Sequence, residues 1–564
     1  MQIKCDLLIV STMKRIISNI KYTATALCAV ACMSSCEDFL STVPLNEIVL
    51  ENFWENEDEV TSVVASCYSG MTDNNFLTRI MLWGEMRSDN MSKGLINPET
   101  PFVNDVQLPE MLDGNILPNY YIADWSSFYR VINRCNTVLH YAPEVLERDP
   151  DFNESEWKAM EAEMLTLRSL CYFYLVRSFR DVPLVLEPTI DDSKPFMVAA
   201  AHPDSVLQQI VKDLKKAELS AVKKYPETSA SADISYTKGR VTQQAVWALL
   251  ADVLLWMENY DECITYCEKV IAAKVEEAEE ERMNYDGDYP LLANQKASAT
   301  SNIHQAYNQI FGIGNSFESI FELQIDNTYD DKQDFLRSYY GAQDLDLGAL
   351  AASTFLAEGT EFGNNYFAKT DIRPYELFDV KDVNVYSIRK YVAYIVDDNG
   401  EAMKRYMEYA NWILYRLTDV MLMEAEALVE RNDSNSNDLR KAFNLTNAVY
   451  SRSNLAAADK DSLAFDSYGS QSSMRDLVLL ERQRELMFEG KRWFDLVRKA
   501  RREGTNGPML DLAKRKYTKP EAVKSKWIKP DMLYLPIYEE ELKVNTLLKQ
   551  NPEYKTDETI STAK

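Results

Sequence analysis

Histidine is scarce in this chain: three residues in 564, His140, His202 and His304. No H-E-x-x-H or G-x-S-x-G run occurs, and the nearest glycine-rich piece, GIGNS at 312–316, lacks the lysine of a phosphate-binding loop. The familiar carriers of zinc-dependent, serine-dependent and nucleotide hydrolysis are therefore missing. Basic charge is in deficit as well, 61 Lys and Arg against 88 Asp and Glu, for a net charge of −27. Such a surface repels the phosphates of nucleic acid. Beyond the N-terminal segment no apolar run approaches the ~20 residues that a membrane-spanning helix needs. Cysteine is sparse and uneven. Past residue 36 there are only Cys67, Cys135, Cys171, Cys263 and Cys267, an odd set lying in apolar helical patterns, which reads as core packing rather than a disulfide framework. Cys263 and Cys267 stand at i, i+4, yet no nearby His or second Cys pair completes a tetrahedral metal set.

The N-terminus is the richest source of information. Lys14, Arg15 and Lys21 precede the small-residue apolar run YTATALCAVACM, which ends at Ser34, Ser35 and Cys36. This is the layout of a secretion signal over residues 1–35, with Met13 a more natural start than Met1 because Asp6 otherwise precedes the basic region. The small-small-Cys ending resembles a lipobox, in which Cys36 becomes the lipidated N-terminus of the mature chain. Glu37 and Asp38 directly behind it resemble the surface-export signal of Bacteroidetes lipoproteins. The expected location is the outer face of the outer membrane, held by lipid alone.

Helical periodicity dominates the remainder, and 46% hydrophobic content is ample for a large core. Residues 245–271 alternate small Ala245, Ala248 and Ala251 with large Leu249, Leu255 and Trp256, then turn at Asn259 and Tyr260 into a second amphipathic helix. This is a hairpin of tetratricopeptide type. Similar pairs are expected at Trp125–Ala142 with Trp157–Phe179, and at Trp412–Glu430 with Asp438–Ser451, where DSNSND supplies turn and cap chemistry. Residues 281–405 change texture to Tyr, Asp, Asn and Gly. They hold an expected strand at Ser319–Ile325 and a strand pair turning at Asp398, Asn399 and Gly400. Long loops on a helical frame are where binding residues concentrate. The chain thus divides into a signal (1–35), an N-terminal helical part (36–280), a loop-rich insert forming the ligand face (281–405) and a C-terminal helical part (406–564). A last long helix is expected over SSMRDLVLLERQRELMFEGKRWFDLVRKARR, capped by Ser473 with Asp476. Its buried face is formed by the rows Leu479, Leu486, Trp493 and Leu480, Met487, Phe494. The charges between them, Glu481 to Arg492, read as an ion-pair lattice. Gly490 inside that helix suggests that another backbone passes close by.

The run ERQRELMFEGKRWFDLVR at 481–498, followed by YLPIYEEELKVNTLLKQNPEY at 534–554, resembles the C-terminal signature of the SusD/RagB family of outer-membrane nutrient-binding lipoproteins. WGEMRSDN at 83–90, FYRVINRCN at 128–136, LRSLCYFYLVRSFRDVPLV at 167–185 and YRLTDVMLMEAEAL at 415–428 extend the resemblance along the mature chain. Arg180 and Glu553 stand where family sequences carry glycine. The resemblance implies a mostly α SusD-like fold with tetratricopeptide-type hairpins. It also implies a non-enzymatic role, capturing glycans and delivering them to a SusC-like TonB-dependent transporter, or doing the same for peptides.

Sugar capture needs flat aromatic faces flanked by amides, carboxylates or arginine. Two regions offer them: Arg87, Asp89 and Asn90 through to Tyr120 and Tyr121, and the group Tyr329, Phe335, Tyr339 and Tyr340. Arg87 and Asp89 also fit a structural pair. Two competing readings are a glycosidase, which needs two carboxylates roughly 5–9.5 Å apart, and a helical adaptor binding only protein, which leaves the tyrosine-rich insert unexplained. No cofactor is expected. DGD at 286–288 and DDNG at 397–400 offer oxygens to calcium, but neither continues into an EF-hand, and hairpin turns explain them better.

Overall fold

The computed structural model describes residues 53–94, 107–190, 197–225, 234–285, 287–294, 303–325, 334–341, 348–357, 366–382, 385–404, 410–431, 435–455 and 462–555. Cys36 and its signal, Tyr329 and Asp286 lie outside them. Within Asn56–Lys564 the fold is mostly α, as the periodicity requires. The first helices are α1 (Glu57–Met71), α2 (Asn74–Glu85), α3 (Ser126–Arg148), α4 (Glu154–Phe179) and α5 (Pro203–Ala217). There follow α6 (Gln243–Trp256), α7 (Tyr260–Glu280), α8 (Leu417–Glu430), α9 (Ser436–Ser453), α10 (Gln471–Leu486) and α11 (Arg492–Glu503).

The three expected hairpins are present as α3/α4, α6/α7 and α8/α9. They stack in chain order, α4 on α5, α5 on α6 and α7 on α8. Their starts are set by polar caps: Asn153 with Glu156 for α4, Thr242 for α6, and Asn435 with Asp438 for α9. Ala245, Ala248 and Ala251 are fully buried, so no side chain holds α6 away from its neighbours. Helix α4 is buried on every side, and its two inward arginines are each paired, Arg168 with Asp213 at 2.6 Å and Arg177 with Asp252 at 3.2 Å. Just after it Arg180 adopts φ 69°, the left-handed backbone that glycine takes without strain. Its guanidinium pairs with Asp181 and Asp531.

Strands are short: β1 (Met91–Lys93), β2 (Ser319–Leu323), β3 (Leu350–Ala352), β4 (Phe378–Asp382), β5 (Val385–Ile388), β6 (Ala393–Val396), β7 (Ala402–Lys404) and β8 (Trp412–Arg416). An antiparallel sheet runs β1-β3-β5-β4, β8 pairs antiparallel with β2, and β6 with β7 makes the expected hairpin. The loop-rich insert is thereby stitched to the parts before and after it.

Three expectations give way. Trp412–Arg416 is not the start of a helix but strand β8, since its bulky alternating residues pair with β2 and the helix begins only at Leu417. The last long helix is two helices, broken where Phe488 and Gly490 take φ of 68° and 74°. Its start lies earlier, at Ser470 capping with Ser473. The break has a cause. A Cβ on Gly84 would sit 1.8 Å from the Gly490 carbonyl, so α2 and this turn meet backbone to backbone, the close approach that Gly490 implied.

The buried face of α10 is also different. Leu479 and Leu480 are only half-buried, whereas Glu481, Arg482, Gln483, Arg484 and Glu485 are in the interior. Their partners come mainly from other elements rather than from neighbouring turns. Arg373 reaches Glu481 at 2.6 Å, Arg416 reaches Glu485 at 2.6 Å and Glu489 at 2.7 Å, and Lys390 reaches Glu489 at 2.6 Å. Arg452 pairs with Glu318 at 2.6 Å and with Glu485. Four cationic groups around Glu485, Arg452, Arg416, Arg373 and Lys390, hold its carboxyl well below the usual range despite burial. The lattice is thus the polar core that joins β8, α9, α10 and the insert.

Candidate functional site

The two tyrosine regions singled out in the sequence meet. Arg79 and Trp83 stand one helical turn apart on α2 and together fix the Tyr121–Ala123 turn. Arg79 Nε donates to the Asp124 carbonyl at 2.6 Å, its Nη2 to the Tyr121 carbonyl at 3.0 Å, and Trp83 Nε1 to the Ile122 carbonyl at 2.9 Å. From the other side, Gln107 Oε1 accepts the Tyr121 N–H at 2.9 Å. The Tyr121 hydroxyl then lies 3.4 Å from that of Tyr339, which belongs to the helix Asp334–Tyr340. Tyr120 and Tyr121 are half-buried, with Asn115, Leu117 and Asn119 exposed beside them in the chain. Two rings on a rigid turn, with the exposed Asn119 next to them in the chain, can cover the apolar face of a sugar and leave an amide for its hydroxyls.

The other predicted residues occupy different places. Arg87, Asp89 and Asn90 are interior, 1%, 0% and 0% exposed. Arg87 does not pair with Asp89. Its Nη1 donates to the Leu533 carbonyl at 2.8 Å and its guanidinium lies 4.3 Å from the centre of the Trp493 ring, burial pulling it down to about 10. Asp89 instead takes Arg492, with Nε at 2.9 Å and Nη2 at 3.2 Å. Asn90 bridges Glu85 at 2.9 Å and Gln483 at 3.0 Å. In these positions all three tie α2 to α10 and α11, and none has surface for a ligand. Tyr339 and Tyr340 are likewise buried, and the Tyr340 hydroxyl donates to the Phe488 carbonyl at 2.8 Å. They support the junction from behind. Phe335 lies in the same helix as Tyr339.

Sequence reasoning missed Arg79 and Trp83 as the residues that place the turn. Their i, i+4 spacing was the available signal, but such spacing equally suits ordinary core packing.

Other groups have quieter roles. Asp397 caps its own turn, accepting the N–H groups of Asn399 and Glu401 at 2.9 Å each, and these donors hold its carboxyl below the ordinary range. DDNG is therefore the hairpin turn between β6 and β7. Among the described residues, no group of three or more His, Cys, Asp or Glu is placed to hold a metal ion. The five cysteines from Cys67 to Cys267 are free and buried, and burial pushes the Cys267 thiol up. No described helix is long and apolar enough to cross a membrane.

Two family models match the chain: one described as the SusD family over residues 358–554, the other as starch-binding associating with outer membrane over residues 38–255. A SusD-like protein of Formosa agariphila is 23% identical over 520 residues, covering 88% of this chain and 94% of its own. A SusD-like protein of Bacteroides ovatus is 24% identical over 508 residues, 84% of this chain and 80% of its own. Among solved structures, a SusD superfamily protein of Bacteroides vulgatus superimposes with a TM-score of 0.65 at 20% identity, covering 89% of this chain and 100% of that one. A laminarin-binding SusD-like protein gives 0.60 at 22% identity, covering 88% and 99%.

Proposed function

The chain belongs to the SusD family, and on that footing we propose that it captures glycan at the outer membrane and hands it to a partner TonB-dependent transporter. The observation that carries the reading is the pair of half-buried rings, Tyr120 and Tyr121, on a turn that Arg79, Trp83 and Gln107 hold in place. Preorganised aromatic surface beside an amide suits a sugar, because ordering it on binding costs little further entropy. The family description names starch, and a structural neighbour is described as binding laminarin. Lipid on Cys36 is the proposed tether, with the folded unit facing the cell exterior. Its role is binding without turnover, and delivery depends on the transporter.

The test is titration of the protein starting after Cys36 with poly- and oligosaccharides and with peptides, released products being monitored in parallel. The expected result is glycan binding without turnover, weakened roughly tenfold or more by Tyr120→Ala with Tyr121→Ala, at unchanged melting temperature. Turnover overturns the binding-only role. Binding of peptides alone overturns the ligand class.

A further inference from the structure

A cleft of about 470 Å³ opens between the helix Ile234–Gly239, the first turns of α6, the C-terminal half of α7 and the start of β2. That volume falls within the range of pockets that take small molecules. It shares no residue with the Tyr120 and Tyr121 junction.

Tryptophan use marks this cleft out. Within Asn56–Lys564, Trp83, Trp125, Trp157, Trp256, Trp412, Trp493 and Trp527 are all buried, and Trp247 is the one that keeps an accessible surface. It lines the cleft. Its ring is held by groups outside the lining: Nε1 donates to Glu218 Oε2 at 3.0 Å, and Lys269 Nζ lies 5.5 Å from the ring centre. Glu218 is fixed in turn by the Tyr266 hydroxyl at 2.8 Å and by Lys269 at 3.1 Å. Ile234, 45% exposed, adds apolar surface to the lining.

The polar lining is similarly prepared. Gln243 and Gln244 commit their amide nitrogens to the Glu218 carbonyl at 3.1 Å and to Glu277 at 3.4 Å. Among the described residues neither amide oxygen takes a hydrogen bond and the Thr237 hydroxyl has no partner. Lys238 and Lys274 close on Glu277 at 3.2 Å and 2.8 Å, and Lys274 also donates to the Phe317 carbonyl at 2.6 Å. The lining as a whole carries Lys223, Lys224 and Lys238 against Glu276, Glu277, Glu280 and Glu281, so both signs are present and no single sign of charge selects an ionic ligand. The helix Ile234–Gly239 is seated firmly, since a Cβ on Gly239 would come 2.3 Å from Gln324 Cγ.

A fixed indole beside hydrogen-bond acceptors, in a cleft of mixed charge with one carboxylate in excess, matches an uncharged sugar better than an anion. Its C–H face lies on the ring and its hydroxyls donate to the amide oxygens. We infer that this cleft is a second glycan site, for short neutral saccharides, an inference that rests on the glycan reading above.

The test uses the protein starting after Cys36, labelled with 5-fluorotryptophan and titrated by ¹⁹F NMR with malto-, laminari-, xylo- and manno-oligosaccharides. Trp247→Phe identifies the Trp247 resonance, and the other tryptophan signals report that each variant is folded. At least one saccharide is expected to shift the Trp247 signal, also in the Tyr120→Ala, Tyr121→Ala protein. Gln243→Ala with Gln244→Ala is expected to weaken that titration roughly tenfold. If no saccharide moves the Trp247 signal, the cleft is not a glycan site. Calorimetry on the same samples then separates the two readings: heat of glycan binding leaves the Tyr120 and Tyr121 site standing alone, and its absence across the panel removes both. A Trp247 shift that disappears in the Tyr120→Ala, Tyr121→Ala protein overturns the independence of the second site.

Discussion

Glu85 shows what burial does to a single carboxyl in this interior. It lies fully buried at the end of α2, where desolvation outweighs the hydrogen bonds from Asn90 and Ser88 and lifts its pKa from 4.5 to about 7. The sign follows directly. A raised folded-state pKa means that the fold favours the protonated form. That contribution is complete below the ordinary value and is lost as pH rises through about 7. Relative to Glu85→Gln, which cannot titrate, the natural protein is expected to lose about 2–3 kcal/mol of stability between pH 5 and pH 8. Urea unfolding of both proteins at the two pH values measures it, and a pH-independent difference excludes the shift. Asp89, four residues on, behaves oppositely because Arg492 keeps its pKa low despite desolvation. One buried guanidinium separates the two cases.

At the scale of elements, the turn between α10 and α11 is the point of least tolerance. Gly504, the left-handed cap of α11, has nothing within 4 Å of an added Cβ, so Gly504→Ala costs about 1 kcal/mol of backbone strain. Gly490→Ala adds a contact at 3.0 Å to the Ile80 carbonyl and is expected to cost roughly 2–3 kcal/mol. Gly84→Ala drives a methyl into the Gly490 carbonyl and is expected to exceed roughly 4 kcal/mol. Thermal unfolding ranks the three, and a different order sinks the close-approach account.

The same turn marks where local pattern stopped being readable. Hairpins α3/α4, α6/α7 and α8/α9 were legible because alanine spacing and cap residues are local signals. The α10–α11 break was not, because ERQRELMFEGKRWF is helical in propensity and is bent by Gly84, some 400 positions away in the chain. Burial of Glu481 to Glu485 was hidden for a related reason. Hydropathy reads them as solvent-facing, and only arginines and a lysine from distant segments make an interior position tolerable.

For the whole molecule, acidity and attachment go together. The proposed loss of residues 1–35 would remove four Lys or Arg and one Asp, taking the formal charge from −27 to −30; an anionic membrane repels such a charge, so the proposed lipid on Cys36 would have to supply the attachment. Cys36→Ala is therefore expected to move the protein from the membrane fraction to the soluble fraction and to abolish incorporation of labelled palmitate. Retention in the membrane without label overturns the tether. The proposed ligand face was legible only in outline. Its tyrosines could be named from the sequence, but not which of them face outward. Tyr121 and Tyr340 look alike in a string of letters, and the difference lies in Arg79 and Trp83, which fix the turn of the one, and in Phe488, whose carbonyl takes the hydroxyl of the other; no local pattern connects them.

The buried lattice also governs the order in which this protein can come into being. Asp89 waits for Arg492, Glu318 for Arg452, and Arg373 and Arg416 for Glu485, across separations of 403, 134, 112 and 69 residues. Contacts that distant make folding slow. A nascent chain that ends before α10 carries unanswered charges it cannot bury. The part of the interior built around Glu485 and Arg492 cannot close until about six-sevenths of the polypeptide has emerged, so this core is completed late, after the hairpins whose charges, such as Arg168 and Asp213, pair earlier in the chain.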